Sequence, residues 1–212
     1  MARTKTYVYV DGFNLYYGRL KGTKSKWLDV SRLMSKLLPR HDIEHIRYFS
    51  AAVSPRPSDP NLALRQKAYF AALTSLPNLT LPLGTFLQTT PMMPVHQPRP
   101  GAPAYVRVVK TEEKGSDVAL ASYLVADGCL GRFEAAVVVS NASDLVPPIE
   151  IVRSELGLTV GVLNPQRRPS VHLQKAASFL RPIREGAVAA SQFPDDVLLP
   201  DGSQISKPLD WR

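Results

Sequence analysis

The sequence predicts a three-layer α/β/α domain with a mainly parallel central sheet, and three observations carry that prediction. Short β-rich runs alternate with stretches of helical spacing along most of the chain, the pattern of successive strand–helix–strand units. The run at residues 135–139 is continuously apolar rather than alternating, as expected of a strand buried on both faces, and 158–163 reads as another buried strand. Aspartates follow the runs, with Asp11 after TYVYV and Asp144 just past AAVVVS. Right-handed crossovers bring such strand ends to one edge of the sheet, where ligands bind.

Residues 6–10 form the first strand, broken by Asp11-Gly12. Asn14 is placed to cap a short helix through Leu15, Tyr16, Tyr17 and Leu20. After a basic loop at 21–26, Asp29 opens a helix to about Leu38 that Pro39 stops. Residues 45–53 read as a strand, 54–60 as a Pro-rich turn, and 61–74 as a helix through Leu62, Leu64, Ala68, Ala71 and Leu73. A third extended segment spans 79–86. The stretch 88–104 holds five prolines, which disfavours helix and central strand. It is expected to be a long loop: a lid, a partner-docking strip or a disordered segment. Residues 105–110 read as a strand that can form a hairpin with 79–86. A helix at 116–126 places Val118, Leu120, Ala121 and Leu124 inward. Strand 135–139, a helix from about 144 to 156 with Gly157 as C-cap, strand 158–163, a loop with Arg167 and Arg168, and a helix over 172–179 complete the core. These elements define a domain at 1–184. Residues 185–212 lack periodicity and read as a tail or surface-hugging extension.

Composition narrows the class. A chain of 212 residues with 44% apolar and 21% charged side chains suits one globular domain. No apolar run reaches the roughly 20 residues of a membrane-spanning helix, and residues 1–9 lack the pattern of a signal peptide. The single cysteine, Cys129, excludes an internal disulfide or a zinc cluster and reads as a buried small hydrophobe. A cytoplasmic protein is the expectation. Residues 1–110 carry 16 basic and 5 acidic side chains, while 111–212 carry 10 and 13. A basic half beside a more acidic half suits a bound polyanion next to a carboxylate cluster.

Asp11, Asp117 and Asp144 come from distant parts of the chain and are expected on one sheet edge. Clustered carboxylates repel unless a cation or a raised pKa relieves them. Oxygen donors without His or Cys suit Mg²⁺ or Mn²⁺, and the matching chemistry is phosphodiester hydrolysis. Asn14 can hold a water or a phosphate oxygen; Ser140 and Ser143 can hydrogen-bond carboxylates or substrate. Each acid also has a plain structural explanation: Asp11-Gly12 as a turn, Asp117 and Asp144 as helix N-caps. Neither a G-x-G-x-x-G turn nor a phosphate-binding G-x-x-x-x-G-K-[ST] loop is present, so nucleotide-cofactor chemistry has no motif behind it. His41, His45, His96 and His172 show no metal-ligand spacing. Tyr16 and Tyr17, beside Arg19, Lys21, Lys24 and Lys26, suit base stacking or, more simply, packing.

Three motifs, DGFNLYY at 11–17, EKGSDVALA at 113–121 and VSNASDLVPPIE at 139–150, resemble the NYN domain family of PIN-like nucleases, in the family's order. The resemblance implies a PIN-like fold and metal-dependent RNA cleavage. It implies that Asp11, Asp117 and Asp144 bind metal, that Asn14 accompanies the first, and that Ser140 and Ser143 are supporting hydroxyls. Glu113 and Lys114 match its EKG turn, where the lysine contacts phosphate or is simply solvated. Ala142 departs from the pattern, because the family places a carboxylate there. Either the natural chain has lost that acid and keeps a weakened or purely RNA-binding site, or an Asp→Ala exchange was introduced to silence it. The intact neighbours favour the second. The expected activity is a Mg²⁺- or Mn²⁺-dependent ribonuclease on single-stranded or tRNA-like RNA, with toxin, defence and RNA-processing roles all open. The alternatives are a non-catalytic RNA-binding or effector-partner module and, with less behind it, a small-molecule enzyme of oxidoreductase type. PIN-like domains often pair, so a homodimer or a partner at the 88–104 loop is also an expectation.

Overall fold

Strand β1 (Thr4–Asp11) has its inner residues covered on both sides: Val8 and Val10 point into one apolar cluster and Tyr9 into another, as the two-residue period of a strand requires. It therefore lies at the middle of the sheet. The computed structural model describes residues 3–211. Met1 and Ala2, which begin the basic N-terminal stretch, and Arg212, the last residue of the expected tail, lie outside the described residues.

In chain order the strands are β1, β2 (His41–Ala51), β3 (Leu79–Thr80), β4 (Leu83–Thr89), β5 (Met92–Pro94), β6 (Tyr105–Arg107), β7 (Lys110–Lys114), β8 (Ala135–Val139), β9 (Thr159–Asn164), β10 (Phe179–Pro182), β11 (Asp196–Leu198) and β12 (Gln204–Ser206). The main sheet runs β10-β9-β8-β1-β2-β4-β7, with β3 also on β2. Every pairing in it is parallel except β4 with β7. The predicted mainly parallel α/β architecture is what forms.

Helix α1 (Gly12–Leu15) continues into a π-helical turn over Tyr16–Leu20, and α2 (Val30–Leu37) and α3 (Leu62–Thr74) follow. These pack on the face holding Val8, Val10, Ile46 and Tyr48. Helices α4 (Ser116–Cys129), α5 (Val146–Glu150) and α6 (Val171–Ala176) cover the opposite face, around Tyr9, Phe49, Leu120, Val138 and Ile149. None of the helices among the described residues is long and apolar enough to cross a membrane.

Several local expectations are corrected. Asp11, not Asn14, caps α1: its side chain accepts from the Asn14 backbone N–H, because the chain turns helical immediately after the strand. The hairpin partner of β4 is Lys110–Lys114, with Phe86 opposite Glu113, not residues 105–110. Glu113 and Lys114 thus end a strand, and Gly115, at φ 101°, makes the turn. Residues 105–107 pair instead with 92–94 in a small antiparallel ribbon, so the Pro-rich stretch is not structureless. Its prolines keep it out of the main sheet but leave enough backbone donors for a three-residue ladder. Val118 faces solvent, whereas Leu120 and Leu124 are buried and Ala121 packs beside them, since Val118 lies off the stripe of α4 that faces the sheet. Cys129, at the end of that helix, is exposed.

The helix expected over 172–179 ends at Ala176, and residues 179–182 form β10. Gly161 on β9 explains the seat of this strand: a Cβ there would overlap the Phe179 ring, so the bare glycine makes room for it. Beyond residue 184 the chain packs closely. Helix α7 (Glu185–Ala189), the turn after it and strand β11 supply Val188, Phe193 and Val197 to the core. The fully buried Trp27 donates its indole N–H to the Pro194 carbonyl at 2.8 Å and packs against Phe193 and Trp211.

Candidate acidic site at the sheet edge

Asp11 is the last residue of β1 and is 3% exposed. One carboxylate oxygen accepts from the Asn14 backbone N–H at 2.9 Å. The other accepts from Asn14 Nδ2 at 2.7 Å and from Ser140 Oγ at 2.8 Å. These hydrogen bonds favour the charged form, yet burial outweighs them and holds the carboxyl above its ordinary range. The next residue must be glycine for a spatial reason. A Cβ on Gly12 would come within 2.6 Å of Tyr48 Cε1 and 2.7 Å of the Phe49 carbonyl.

The loop after β8 meets this turn. Ser140 is fully buried and its Oγ also accepts from the Ala142 N–H at 3.0 Å. Asn141 ties three segments together: its N–H donates to Asn14 Oδ1 at 3.3 Å, its Nδ2 to the Arg168 carbonyl at 3.1 Å, and its Oδ1 accepts from the Ser170 N–H at 2.7 Å. Ala142 is half-buried and leads into a 3₁₀ turn, Ser143–Leu145, that displays Ser143 and Asp144 to solvent. Asp144 is in the first turn rather than at the cap.

Helix α4 brings the third acid. Glu113, on β7, accepts from the Ser116 N–H at 3.0 Å and the Ser116 hydroxyl at 2.8 Å, anchoring the helix start. It lies over Gly84, where a Cβ would collide with its Oε1. Asp117 follows in the first turn of α4. Its carboxyl is pushed up to about 6 by burial and then by the charges of Asp11, Glu113 and Asp144. Asp117 therefore feels the charges of both other acids singled out from sequence. Glu113 is the member that sequence reasoning saw only as part of a turn motif. Its signal was a carboxylate three residues before a helix start, where it meets free N–H groups.

The basic residues scatter. Lys114 is exposed and pairs with Glu112 at 3.6 Å. Arg19 is spent on the backbone, donating to the carbonyls of Ile183 at 2.7 Å and Gly18 at 3.3 Å. Lys21 is exposed and lies 4.9 Å from the centre of the Tyr17 ring.

Among the described residues no three acidic, histidine or cysteine side chains close into a ready-made metal cage. The donor chemistry nonetheless fits a hydrated divalent ion, which keeps several waters and needs only one or two carboxylates with substrate phosphate. Asp117, surrounded by anions, is the group such an ion would relieve.

A three-layer α/β/α fold with a mainly parallel sheet and an acidic C-terminal edge defines a PIN-like domain. The chain belongs to the NYN domain family, whose model matches residues 5–183; members are generally metal-dependent nucleases. It is 30% identical over 236 residues to a 6-hydroxy-3-succinoylpyridine 3-monooxygenase of Pseudomonas putida, an alignment covering 98% of this chain and 75% of that protein. Its fold is similar to a crystal structure of a protein of unknown function from Vibrio parahaemolyticus. There the TM-score is 0.54 at 16% identity, covering 87% of this chain and 95% of the other.

Proposed function

We propose that this chain is a divalent-metal-dependent ribonuclease scaffold that acts on single-stranded or tRNA-like RNA at its acidic edge, attenuated by Ala142. The observation that carries this reading is geometric: Asp11 at the end of β1, held by Asn14 and Ser140, and Asp117 in the first turn of α4, beside the Glu113 that anchors that helix start, come near enough for Asp11, Glu113 and Asp144 to push the Asp117 carboxyl up beyond what burial does. Anions gathered from separate segments favour a bound cation. Asp11, Asp117 and Asp144 are the residues to hold Mg²⁺ or Mn²⁺; such an ion, when bound, activates water and neutralises charge on a phosphodiester.

The chain's own groups do the positioning. Ser140 and Asn14 hold the Asp11 carboxylate in one orientation by three hydrogen bonds. Ser143, exposed on the 3₁₀ turn, and Lys114, exposed at the end of β7, are offered to substrate phosphate. Single strands suit this edge better than duplex, because unpaired nucleotides enter a cleft more easily. The test is RNA cleavage with and without Mn²⁺ or Mg²⁺ by this chain and by Ala142→Asp. Metal-dependent cutting that appears or rises at least tenfold in the aspartate form is expected. If neither protein cuts RNA with either ion, the nuclease reading fails and RNA-binding measurements decide whether the edge is a binding module.

A second reading has one observation behind it, the 30% identity to a protein named a monooxygenase of a substituted pyridine. On that reading the chain transforms a small heteroaromatic acid. Turnover of 6-hydroxy-3-succinoylpyridine with oxygen and a two-electron reductant, unaffected by Asp144→Asn, is the result that would favour it.

A further inference from the structure

A cavity of about 340 Å³ opens at the same sheet edge but on the other face of β1. Gly12 and Phe13, which directly follow Asp11, form part of its wall. Tyr48, from the neighbouring strand, forms another part, and its hydroxyl is raised first by burial and then by the Asp11 charge. The cavity and the acidic site are thus adjacent, separated by the β1–α1 turn. Phe13 meets Phe86 edge to face, with ring centres 5.9 Å apart, and Phe86 lies opposite Glu113 in the β4–β7 ladder. An aromatic ridge therefore leads from the acids toward the cavity.

Its chemistry is the opposite of the acidic edge. Tyr16, Tyr17 and Phe70 present aromatic surface, and Lys21, Lys26 and Arg56 bring cations to the lining. No salt bridge engages these three cations among the described residues. The one acid in the lining, Asp59, is tied to Arg65. Tyr17 is 57% exposed even with Lys21 over its ring and Tyr16 edge to face beside it, so part of the ring is open to an incoming partner. A volume near the low end of ligand pockets, roughly 300–1,000 Å³, suits one base with its sugar rather than a dinucleotide. Aromatic faces interleaved with unpaired cations are how single-stranded nucleic acid is held.

We propose that this cavity takes one nucleotide of the strand, its base against Tyr16, Tyr17 and Phe70 and its phosphate against Lys21, Lys26 and Arg56. A neighbouring phosphate of the same strand then meets the acidic edge. The proposal rests on the RNA reading only for where the nucleotide comes from; the pocket's affinity is a separate property.

The test is calorimetric titration of the metal-free protein with adenosine 5′-monophosphate, uridine 5′-monophosphate, the two nucleosides and nicotinate. Saturable binding of the monophosphates is expected, with the nucleosides about tenfold weaker. Tyr17→Ala and Lys21→Ala, both at exposed positions that leave the fold intact by circular dichroism, should each weaken monophosphate binding about tenfold. Absence of saturable binding by either monophosphate overturns the proposal. So does binding that both variants leave unchanged, and so does binding of nicotinate alone, which would make the cavity a site for small aromatic acids. Because no metal and no cleavage enter this assay, nucleotide binding without RNA cleavage would keep the pocket and sink the nuclease reading. Cleavage without nucleotide binding would do the reverse.

Discussion

The hydroxyl of Ser140 donates to Asp11 Oδ2 across 2.8 Å, joining the ends of β8 and β1 where two buried polar side chains would otherwise face apolar surroundings. The same oxygen accepts from the Ala142 N–H, so one hydroxyl sets both the carboxylate and the loop beside it. Ser140→Ala leaves that N–H without this partner and removes one of the bonds that lower the Asp11 pKa. The variant should lose about 1–3 kcal/mol in urea unfolding, and the Asp11 carboxyl should titrate higher still by carbon-detected NMR. An unchanged stability would mean the hydroxyl contact is dispensable.

Asp117 makes the metal-free protein sensitive to pH. Its folded pKa is about 6, while an unfolded aspartate titrates near 3.9. Between those values the native state holds more protons than the unfolded state, so this group makes unfolding easier as pH rises from about 4 to about 6. Asp144→Asn removes one of the charges responsible and should lower the Asp117 pKa and flatten that dependence. NMR titration of the carboxyl carbon checks both.

Asp127 anchors a different network at the far end of α4. Fully buried, it accepts from Tyr9 Oη at 2.8 Å, from Arg47 at 2.8 and 3.1 Å, and from Arg132 at 2.7 Å. Asp127→Ala strands Arg47 without its counter-charge, and a broken buried pair costs about 3–5 kcal/mol. Thermal unfolding should show a correspondingly large fall in Tm, whereas Arg132→Ala, at the exposed rim, should change it little.

If the basic half of the chain follows an RNA backbone, affinity must fall as salt rises. The slope for single strands is about −0.7 per phosphate neutralised. Lys21→Ala should make that slope shallower by roughly 0.7 units in fluorescence-anisotropy titrations across a salt series. A slope that does not change would remove Lys21 from the phosphate-contacting surface.

By itself the sequence determined the central elements of this protein. Strand β8 announced itself because a strand buried on both faces is apolar throughout. Asp29 and Pro39 marked the ends of α2 through local capping and steric effects, and the acids at 11, 117 and 144 were visible as residues beside strand and helix ends. Tertiary structure alone decided what depends on distant partners. Residues 179–182 became a strand because Gly161 leaves room for the Phe179 ring. Lys110–Lys114, rather than 105–107, took the edge beside β4, and that placement brought Glu113 to the acids. Residues 185–211 lie along the surface and send Val188, Phe193 and Val197 into the core, with Trp27 packed on Phe193 and bonded to the Pro194 carbonyl. Local periodicity and capping act over a few residues and are written along the chain. Pairing register, the raised Asp117 carboxyl and the cavity beside Gly12 arise from side chains far apart in sequence, whose spacing exists only once the sheet has formed.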